Sequence, residues 1–208
     1  MKNKTMLALL LCAVLSIGLL TTGCSGKTEA PSAQEPEADA PPVQDSEEKA
    51  GTASALGSLH SFSADTLDGG VFTQDDIAAK DVTVMNFWAL SCGPCIVEMP
   101  DLAAFAGALP DNAQVVTVCL DGNGNEDTAR EVLQEAGFEG VTLITGSEDL
   151  LELSQNLMYT PTTIFVDSDG NLVGDAIIGG QENLSATFLD AVNVVLQAGG
   201  KAEISLEG

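Results

Sequence analysis

The sequence is poor in positive charge and in aromatic side chains. Only 7 of its 208 residues are Lys or Arg, against 31 Asp or Glu, and the formal net charge is −24. Nucleic acids and anionic lipid head groups are bound by basic residues that neutralise phosphate. The shortage of Lys and Arg therefore excludes both as electrostatic partners. Aromatic residues make up 4% of the chain, which leaves little surface for stacking bases.

Side chains that bind metals are also scarce. The chain has one histidine and five cysteines, and Cys92 and Cys95 are the cysteines spaced as a metal half-site. Zinc usually needs four ligands, and Cys119 and His60 are the candidates that remain to complete such a site. Zinc is therefore disfavoured. Cu(I) accepts two soft ligands, so copper binding by Cys92 and Cys95 stays an alternative.

The start of the chain has the pattern of an export signal. Lys2 and Lys4 precede an apolar run over residues 6–20, which falls short of the roughly 20 residues of a bilayer-spanning helix but suits a signal peptide. Small residues and Cys24 follow, similar to a bacterial lipoprotein box, although Thr21 stands where such boxes usually have Leu. We expect residues 1–23 to be a lipoprotein signal peptide and Cys24 to be lipidated. An ordinary signal peptide or an uncleaved anchor is the alternative.

Residues 24–57 have a different composition from the rest of the chain. Prolines at positions 31, 36, 41 and 42 alternate with acidic residues, Ala and Gln, and no apolar periodicity is present. Such a segment buries too little apolar surface to offset the entropy of ordering it. We interpret it as a disordered acidic tether. The remaining residues, 58–208, are predicted to form one domain.

The 58–208 segment alternates between strand and helix patterns. Its β-branched and apolar runs predict strands at residues 82–88, 114–120, 141–145, 162–166 and 172–178. Apolar spacing predicts a helix that follows Cys92, helices at residues 128–136 and 150–156, and a closing helix with apolar residues from 184 to 195. A turn signal at residues 167–170 joins two of the strands. This order predicts a sheet with helices on both faces.

The motif Cys92-Gly93-Pro94-Cys95 lies between the first of these strands and its helix. The free backbone donors and the positive dipole end of a helix N-terminus favour an anion, and a thiolate is such an anion. A fall in thiol pKa from about 8.5 to about 7 raises the thiolate fraction at pH 7 from roughly 3% to roughly 50%. Cys92 is then the exposed nucleophile. Cys95, one turn further in, is the shielded resolving thiol.

The segment Phe87-Trp88-Ala89, the two-cysteine motif and Thr160-Pro161 together resemble the thioredoxin superfamily. Residues 95–100 and 161–170 are similar to the TlpA/ResA-like membrane-anchored thiol-disulfide oxidoreductases, which have a redoxin domain of the AhpC/TSA type. The resemblance implies a thioredoxin-like α/β fold, in which helices flank a central mixed β-sheet on both faces. Ser91 departs from the family pattern, where an aromatic residue is usual, and this leaves partner specificity open.

The resemblance also assigns roles to residues around the motif. Pro161 is expected to be cis and to face the disulfide, with the backbone of Thr160 pairing with an extended substrate. The expected substrate-binding residues are Trp88, Gly93, Pro94, Thr160 and Pro161, and Trp88 is expected mainly to pack beside the site.

Glu98 is the third expected catalytic residue. It follows Cys95 by three positions, which places both on one helix face. Cytoplasmic thioredoxins have a buried Asp where this chain has Asn86, and an amide cannot accept a proton in the same way. Glu98 is therefore the nearest candidate acceptor for the proton of Cys95, with an ordinary solvated carboxylate as the alternative. Cys119 is expected to be an inert core thiol.

The expected function is reduction of disulfides in exported proteins by a lipid-anchored enzyme outside the cytoplasm. The Gly93-Pro94 dipeptide is the one found in thioredoxin, at the reducing end of the potential scale. No cofactor or metal is required, and the resemblance implies a CcdA/DsbD-type transmembrane electron donor. We expect a monomer. The alternative is a non-catalytic copper metallochaperone that uses Cys92 and Cys95. A peroxidase is disfavoured because Ser91-Cys92 lacks the Pro-x-x-x-Thr/Ser-x-x-Cys setting.

Overall fold

The computed structural model describes residues 58–144 and 146–206. The predicted signal peptide, the predicted acidic tether and Cys24 lie outside these described residues. Within the described part of the chain, no helix combines the length and the apolar character needed to span a membrane.

Seven strands and five helices make up the described part of the chain. They are β1 (Ser63–Asp65), β2 (Val71–Thr73), α1 (Gln74–Ala78), β3 (Val82–Trp88), α2 (Gly93–Ala108), β4 (Ala113–Cys119), α3 (Glu126–Ala136), β5 (Val141–Leu143), α4 (Glu148–Gln155), β6 (Thr162–Asp167), β7 (Ile177–Ile178) and α5 (Leu184–Ala198).

Five of the strands form one mixed sheet in the order β5-β4-β3-β6-β7. β3 runs parallel to β4, and β4 runs parallel to β5, whereas β6 is antiparallel to β3 and β7 is antiparallel to β6. β1 and β2 form a separate antiparallel pair. The position of β3 in the middle of the sheet explains why all seven of its residues are buried.

Successive side chains of β3 point to opposite faces of the sheet. Val84 belongs to one hydrophobic cluster, and the neighbouring Met85 belongs to the other. Buried helix residues join the first cluster from α2, α3 and α5 (Leu102, Leu133 and Phe188) and the second from α1 and α4 (Ile77 and Leu150). Helices therefore flank the sheet on both faces, which confirms the predicted fold class.

The predicted strand at residues 172–178 is wrong over most of its length. It reduces to β7, Ile177–Ile178, and to single bridges such as Val166 with Leu172. Gly174 has a φ of +77°, which lies in the left-handed region and interrupts an extended strand. The predicted turn before it is present, because the Gly170 N–H donates to the Asp167 carbonyl at 3.0 Å.

The helix after Cys92 begins at Gly93 and continues through Pro100 to Ala108. Its buried face includes Met99, Leu102 and Phe105, which hold it against the sheet. The structure also contains β1, β2 and α1 within residues 63–78, where the sequence analysis predicted no element. Strands of three residues are too short for an alternating pattern to be recognised.

Candidate active site

A disulfide joins Cys92 and Cys95 at the carboxyl end of β3, where the chain enters α2. Cys92 is the N-cap residue of α2, and its Sγ accepts a hydrogen bond from the Cys95 N–H at 3.3 Å. Cys92 is partly exposed, whereas Cys95 is 1% exposed. The two sulfurs are therefore unequal, and a macromolecule approaching from solvent reaches Cys92 first.

The loop between β3 and Cys92 is held by backbone and side-chain hydrogen bonds. The Cys92 N–H donates to the Ala89 carbonyl at 3.0 Å. The Leu90 N–H donates to Oδ1 of Asp121, which follows the neighbouring strand β4, at 2.9 Å. Asp121 was not among the residues predicted from the sequence. The signal available was that parallel strands place their carboxyl ends at the same edge of a sheet.

The peptide bond between Thr160 and Pro161 is cis, and it lies beside the disulfide. The Thr160 carbonyl oxygen is 3.4 Å from Cys92 Sγ. Thr160 is half-buried and Pro161 is buried, whereas Gly93 and Pro94 are exposed on the other side of Cys92. The backbone of Thr160 and the turn of the motif therefore border the reachable sulfur.

Glu98 lies one turn beyond Cys95 on α2 and is 6% exposed. Its Oε1 accepts a hydrogen bond from Asn86 Nδ2 at 3.3 Å, and among the described residues its Oε2 has no hydrogen-bond partner. Burial raises the pKa of Glu98 above its ordinary value, and nearby Asp101 adds to the rise. Asn86 opposes the rise, as does the Gln181 N–H, which is near the carboxylate but outside hydrogen-bond geometry.

Asn86 links the helix to the sheet beneath the disulfide. It is 1% exposed, and its Nδ2 also donates to Thr163 Oγ1 at 3.0 Å. Asn86 and Thr163 are paired residues in the register of β3 and β6. Asn86 lies in the buried strand predicted for it, whereas Thr163 had no signal in the sequence because register is not visible in a local pattern.

Trp88 does not present a surface to a substrate. It is 0% exposed and packs beside the site, in the cluster that contains Cys95. Cys119 is paired with Trp88 in the β3–β4 register and is also 0% exposed. Burial raises the pKa of Cys119 to about 12. This thiol stays protonated at neutral pH, in agreement with an inert core residue.

No group of three or more His, Cys, Asp and Glu side chains suited to a metal ion occurs in residues 58–144 and 146–206. The arrangement around Cys92 contains instead the parts needed for thiol exchange. These are a reachable sulfur, a buried sulfur beside it, and a buried carboxylate on the same helix face.

Comparison with known proteins agrees with this arrangement. The model of the AhpC/TSA family matches residues 57–174. The thioredoxin-like protein YneN of Bacillus subtilis is 30% identical over 119 residues, which cover 57% of this chain and 68% of YneN. The thiol:disulfide interchange protein HelX of Rhodobacter capsulatus is 28% identical over 102 residues, which cover 49% of this chain and 55% of HelX.

A solved structure shows the same fold. The thiol:disulfide interchange protein of the thioredoxin family from Chlorobium tepidum superposes with a TM-score of 0.56 at 23% identity, over 67% of this chain and 95% of that one. This likeness confirms the thioredoxin-like architecture. The family match covers more than half of the chain and includes both cysteines. The chain therefore belongs to the AhpC/TSA family and carries the dithiol of a thiol-disulfide oxidoreductase.

Proposed function

We propose that this protein is a lipid-anchored enzyme that reduces disulfides in exported proteins outside the cytoplasm. The observation that supports this reaction is the unequal exposure of the two cysteines. Cys92 is partly exposed at a helix N-cap, and Cys95 is buried behind it. The location rests on the signal-peptide pattern of residues 1–23 and on Cys24. Residues 24–57 then serve as a tether between the lipid anchor and the redox domain.

The reaction begins with the reduced protein. The Cys92 thiolate is stabilised by the N-terminus of α2 and by the Cys95 N–H, which already donates to this sulfur in the disulfide. It attacks one sulfur of the substrate disulfide. The substrate S–S bond breaks, a mixed disulfide forms on Cys92, and the released substrate sulfur takes a proton from water.

Cys95 resolves the mixed disulfide. Its thiol transfers a proton to the Glu98 carboxylate, and the resulting thiolate attacks Cys92 Sγ. The Cys92–Cys95 bond forms, and the second substrate sulfur leaves as a thiolate and is protonated. Two electrons have then passed from the protein dithiol to the substrate. A CcdA/DsbD-type transmembrane dithiol donor returns two electrons and restores both thiols.

The residues beside Cys92 orient the substrate. Thr160 presents its backbone next to the sulfur, with the cis bond to Pro161 setting the direction of the chain. An extended substrate segment pairs with this backbone, as peptides do at an exposed strand edge. Gly93 and Pro94 carry no bulky exposed group beyond the proline ring, so they leave room for the attacked disulfide.

Trapping in cells that export the full chain tests this function. The Cys95→Ser variant retains the nucleophile but lacks the resolving thiol, so it should accumulate mixed disulfides at Cys92. Thiol blocking followed by mass spectrometry identifies the partners. The wild-type protein should also accelerate the reduction of insulin by dithiothreitol.

Two variants serve as controls. Cys92→Ser should form no adduct and should lose the acceleration of insulin reduction, whereas Cys119→Ser should behave as wild type, because this thiol is buried and protonated. Copper binding without any thiol exchange would overturn the proposal. Fractionation of the same cells tests the anchor, because Cys24→Ala should move the protein out of the membrane fraction.

A further inference from the structure

Three large apolar side chains on the segments next to the cis-proline region face solvent. Met158 is 82% exposed, Tyr159 is 60% exposed and Ile178 is 54% exposed. We call these three residues the apolar rim. Met158 and Tyr159 directly precede Thr160, whose carbonyl oxygen is 3.4 Å from Cys92 Sγ.

Ile178 places the apolar rim on a second element. It is paired with Thr162 in the β6–β7 register, and the next residue, Gly179, donates its N–H to the Pro161 carbonyl at 2.8 Å. The three exposed side chains therefore belong to segments bonded directly to the cis-proline region. Exposed apolar side chains grouped in this way mark interaction surfaces.

The cations of the described part of the chain are engaged away from the apolar rim. Lys80 Nζ donates to the Asp111 carbonyl at 2.6 Å, and Lys201 Nζ is 2.8 Å from Asp81 Oδ1. Both contacts lie at the amino end of β3, whereas Cys92 follows its carboxyl end. Positive charge is therefore held at the opposite end of the sheet.

The third cation lies on the β5 side of the sheet. Arg130 donates to the Leu67 carbonyl at 2.6 Å and to Asp127 at 3.0 Å. The Leu67 N–H in turn bonds to the Thr142 carbonyl in β5, which is the sheet edge opposite to β7. No lysine or arginine among the described residues therefore lies with the apolar rim.

Exposed carboxylates lie on the segments around Glu98, one turn of α2 beyond Cys95. Asp101 is exposed one turn beyond Glu98, and it is near enough to affect that carboxylate. Glu182 is exposed and follows Gln181, whose backbone also lies near Glu98. The rim therefore sits in the negative field of a chain with a formal charge of −24.

We propose that the apolar rim docks an extended, cationic segment of an unfolded protein, with apolar residues next to its disulfide cysteine and Lys or Arg further out. This inference rests on the proposed function and names its substrate class. Apolar contacts cover Met158, Tyr159 and Ile178, and the positive charges are steered by the surrounding carboxylates. A second copy of this chain fits poorly, because it brings the same negative charge to the surface.

Two peptides test the charge preference with the purified, reduced full chain. Each has one cysteine activated as a 2-thiopyridyl disulfide between the same apolar residues, and the outer positions are Lys in one peptide and Glu in the other. Stopped-flow release of thiopyridone gives the second-order rate constant. At low ionic strength the Lys peptide should react about tenfold faster or more, and added salt should reduce this ratio.

Equal rates for the two peptides would overturn the inference about the substrate. Bis(2-hydroxyethyl) disulfide, which is neutral and has no side chains, separates this result from failure of the proposed function. Reduction of this reagent by the same protein supports the oxidoreductase activity itself. A protein that fails to reduce it contradicts the proposed function, and the inference falls with it.

Matched variants test the two parts of the surface. The double variant Met158→Ser/Tyr159→Ser should lower the rate with the Lys peptide severalfold, whereas Val71→Ser should not. Val71 is 60% exposed on β2, and the segment that joins β1 to β2 bonds to β5, at the sheet edge opposite to β7. Equal losses in the two proteins would overturn the role of the rim, and circular dichroism checks that both remain folded.

A second matched pair of variants tests whether the carboxylates near the apolar rim cause the charge preference. Glu182→Gln should lower the ratio of Lys-peptide to Glu-peptide rates, whereas Glu139→Gln should leave it unchanged. Glu139 is exposed in the loop before β5, at the opposite end of the parallel strands from Cys92. If both substitutions change the ratio equally, the preference comes from net charge and the local docking surface is contradicted.

Discussion

At the scale of single residues, burial gives different roles to side chains of the same type. Cys92 and Cys95 differ in exposure, and Cys119 is a third thiol whose raised pKa removes it from the reaction. Among the carboxylates, Glu98 is set apart because it is enclosed beneath the site and has one amide donor, Asn86. The side chains that react are selected by their surroundings rather than by residue type.

Glu98→Gln should slow the attack of Cys95 on the mixed disulfide and remove the corresponding step from the pH–rate profile. Burial raises the pKa of Glu98, so this step in the wild-type protein should lie above the ordinary glutamate value of 4.5. Stopped-flow decay of a mixed disulfide preformed on Cys92 measures the rate. Glu139→Gln is the exposed control, and an unchanged profile in Glu98→Gln would argue against the proton-transfer role.

The same carboxyl group affects stability in a defined direction. A folded pKa above the unfolded value means that the protonated form favours folding, so this stabilisation is complete below the unfolded pKa. It is lost as pH rises through the folded pKa. Glu98→Gln should therefore remove this part of the decline in stability with pH, as measured by urea unfolding at several pH values.

At the scale of helices and strands, the site is the junction of β3, α2 and the start of β6. The end of β3 supplies the loop, α2 supplies both cysteines, and the residues before β6 supply the Thr160 carbonyl. β3 was predicted with its observed bounds because a run of β-branched and apolar residues is typical of a central strand. The short strands β1 and β2 escaped prediction, and β7 was predicted too long, because pairing rather than composition defines these strands.

The turn after β6 offers a test of close packing. Gly170 has a φ of +85°, and a Cβ there would lie 2.3 Å from the Leu59 carbonyl oxygen. Gly174 has a φ of +77°, but its nearest contact would be Val194 at 3.9 Å. Gly174→Ala should therefore cost about 1–2 kcal/mol from backbone conformation alone. Gly170→Ala should cost about 1–3 kcal/mol more because of the clash.

Urea unfolding of the two alanine variants measures this difference. Both substitutions place alanine in the left-handed region, so they differ mainly in the contact with Leu59. Equal losses of unfolding free energy would show that the Leu59 backbone moves aside without cost.

At the scale of the whole molecule, charge of one sign dominates. The formal net charge is −24, so the carboxylates repel one another in the compact state. Both lysines of the described residues already bond to other groups. Raising the salt concentration from about 0.01 M to about 1 M shortens the Debye length from about 30 Å to about 3 Å. The thermal midpoint should therefore rise by several degrees over this range, as followed by circular dichroism.

Measurement at two pH values separates charge screening from other effects of salt. The isoelectric point is about 4.1, and the salt effect should shrink as pH approaches it. A thermal midpoint that is insensitive to salt at neutral pH would show that repulsion between the carboxylates does not destabilise the folded protein.

The sequence by itself determined the central strand and the two-cysteine motif, because each depends on neighbours within a few positions. It also determined the fold class, through the order of such local patterns and motifs along residues 58–208. Tertiary structure decided what surrounds the motif. Asn86 meets Glu98 across 12 positions and Thr163 across 77, and Thr160 meets Cys92 across 68. Such contacts depend on strand register and on which helix face is buried, and a local pattern does not encode either. For the same reason the sequence places Trp88 next to the site, whereas only the tertiary structure shows that the side chain is completely buried.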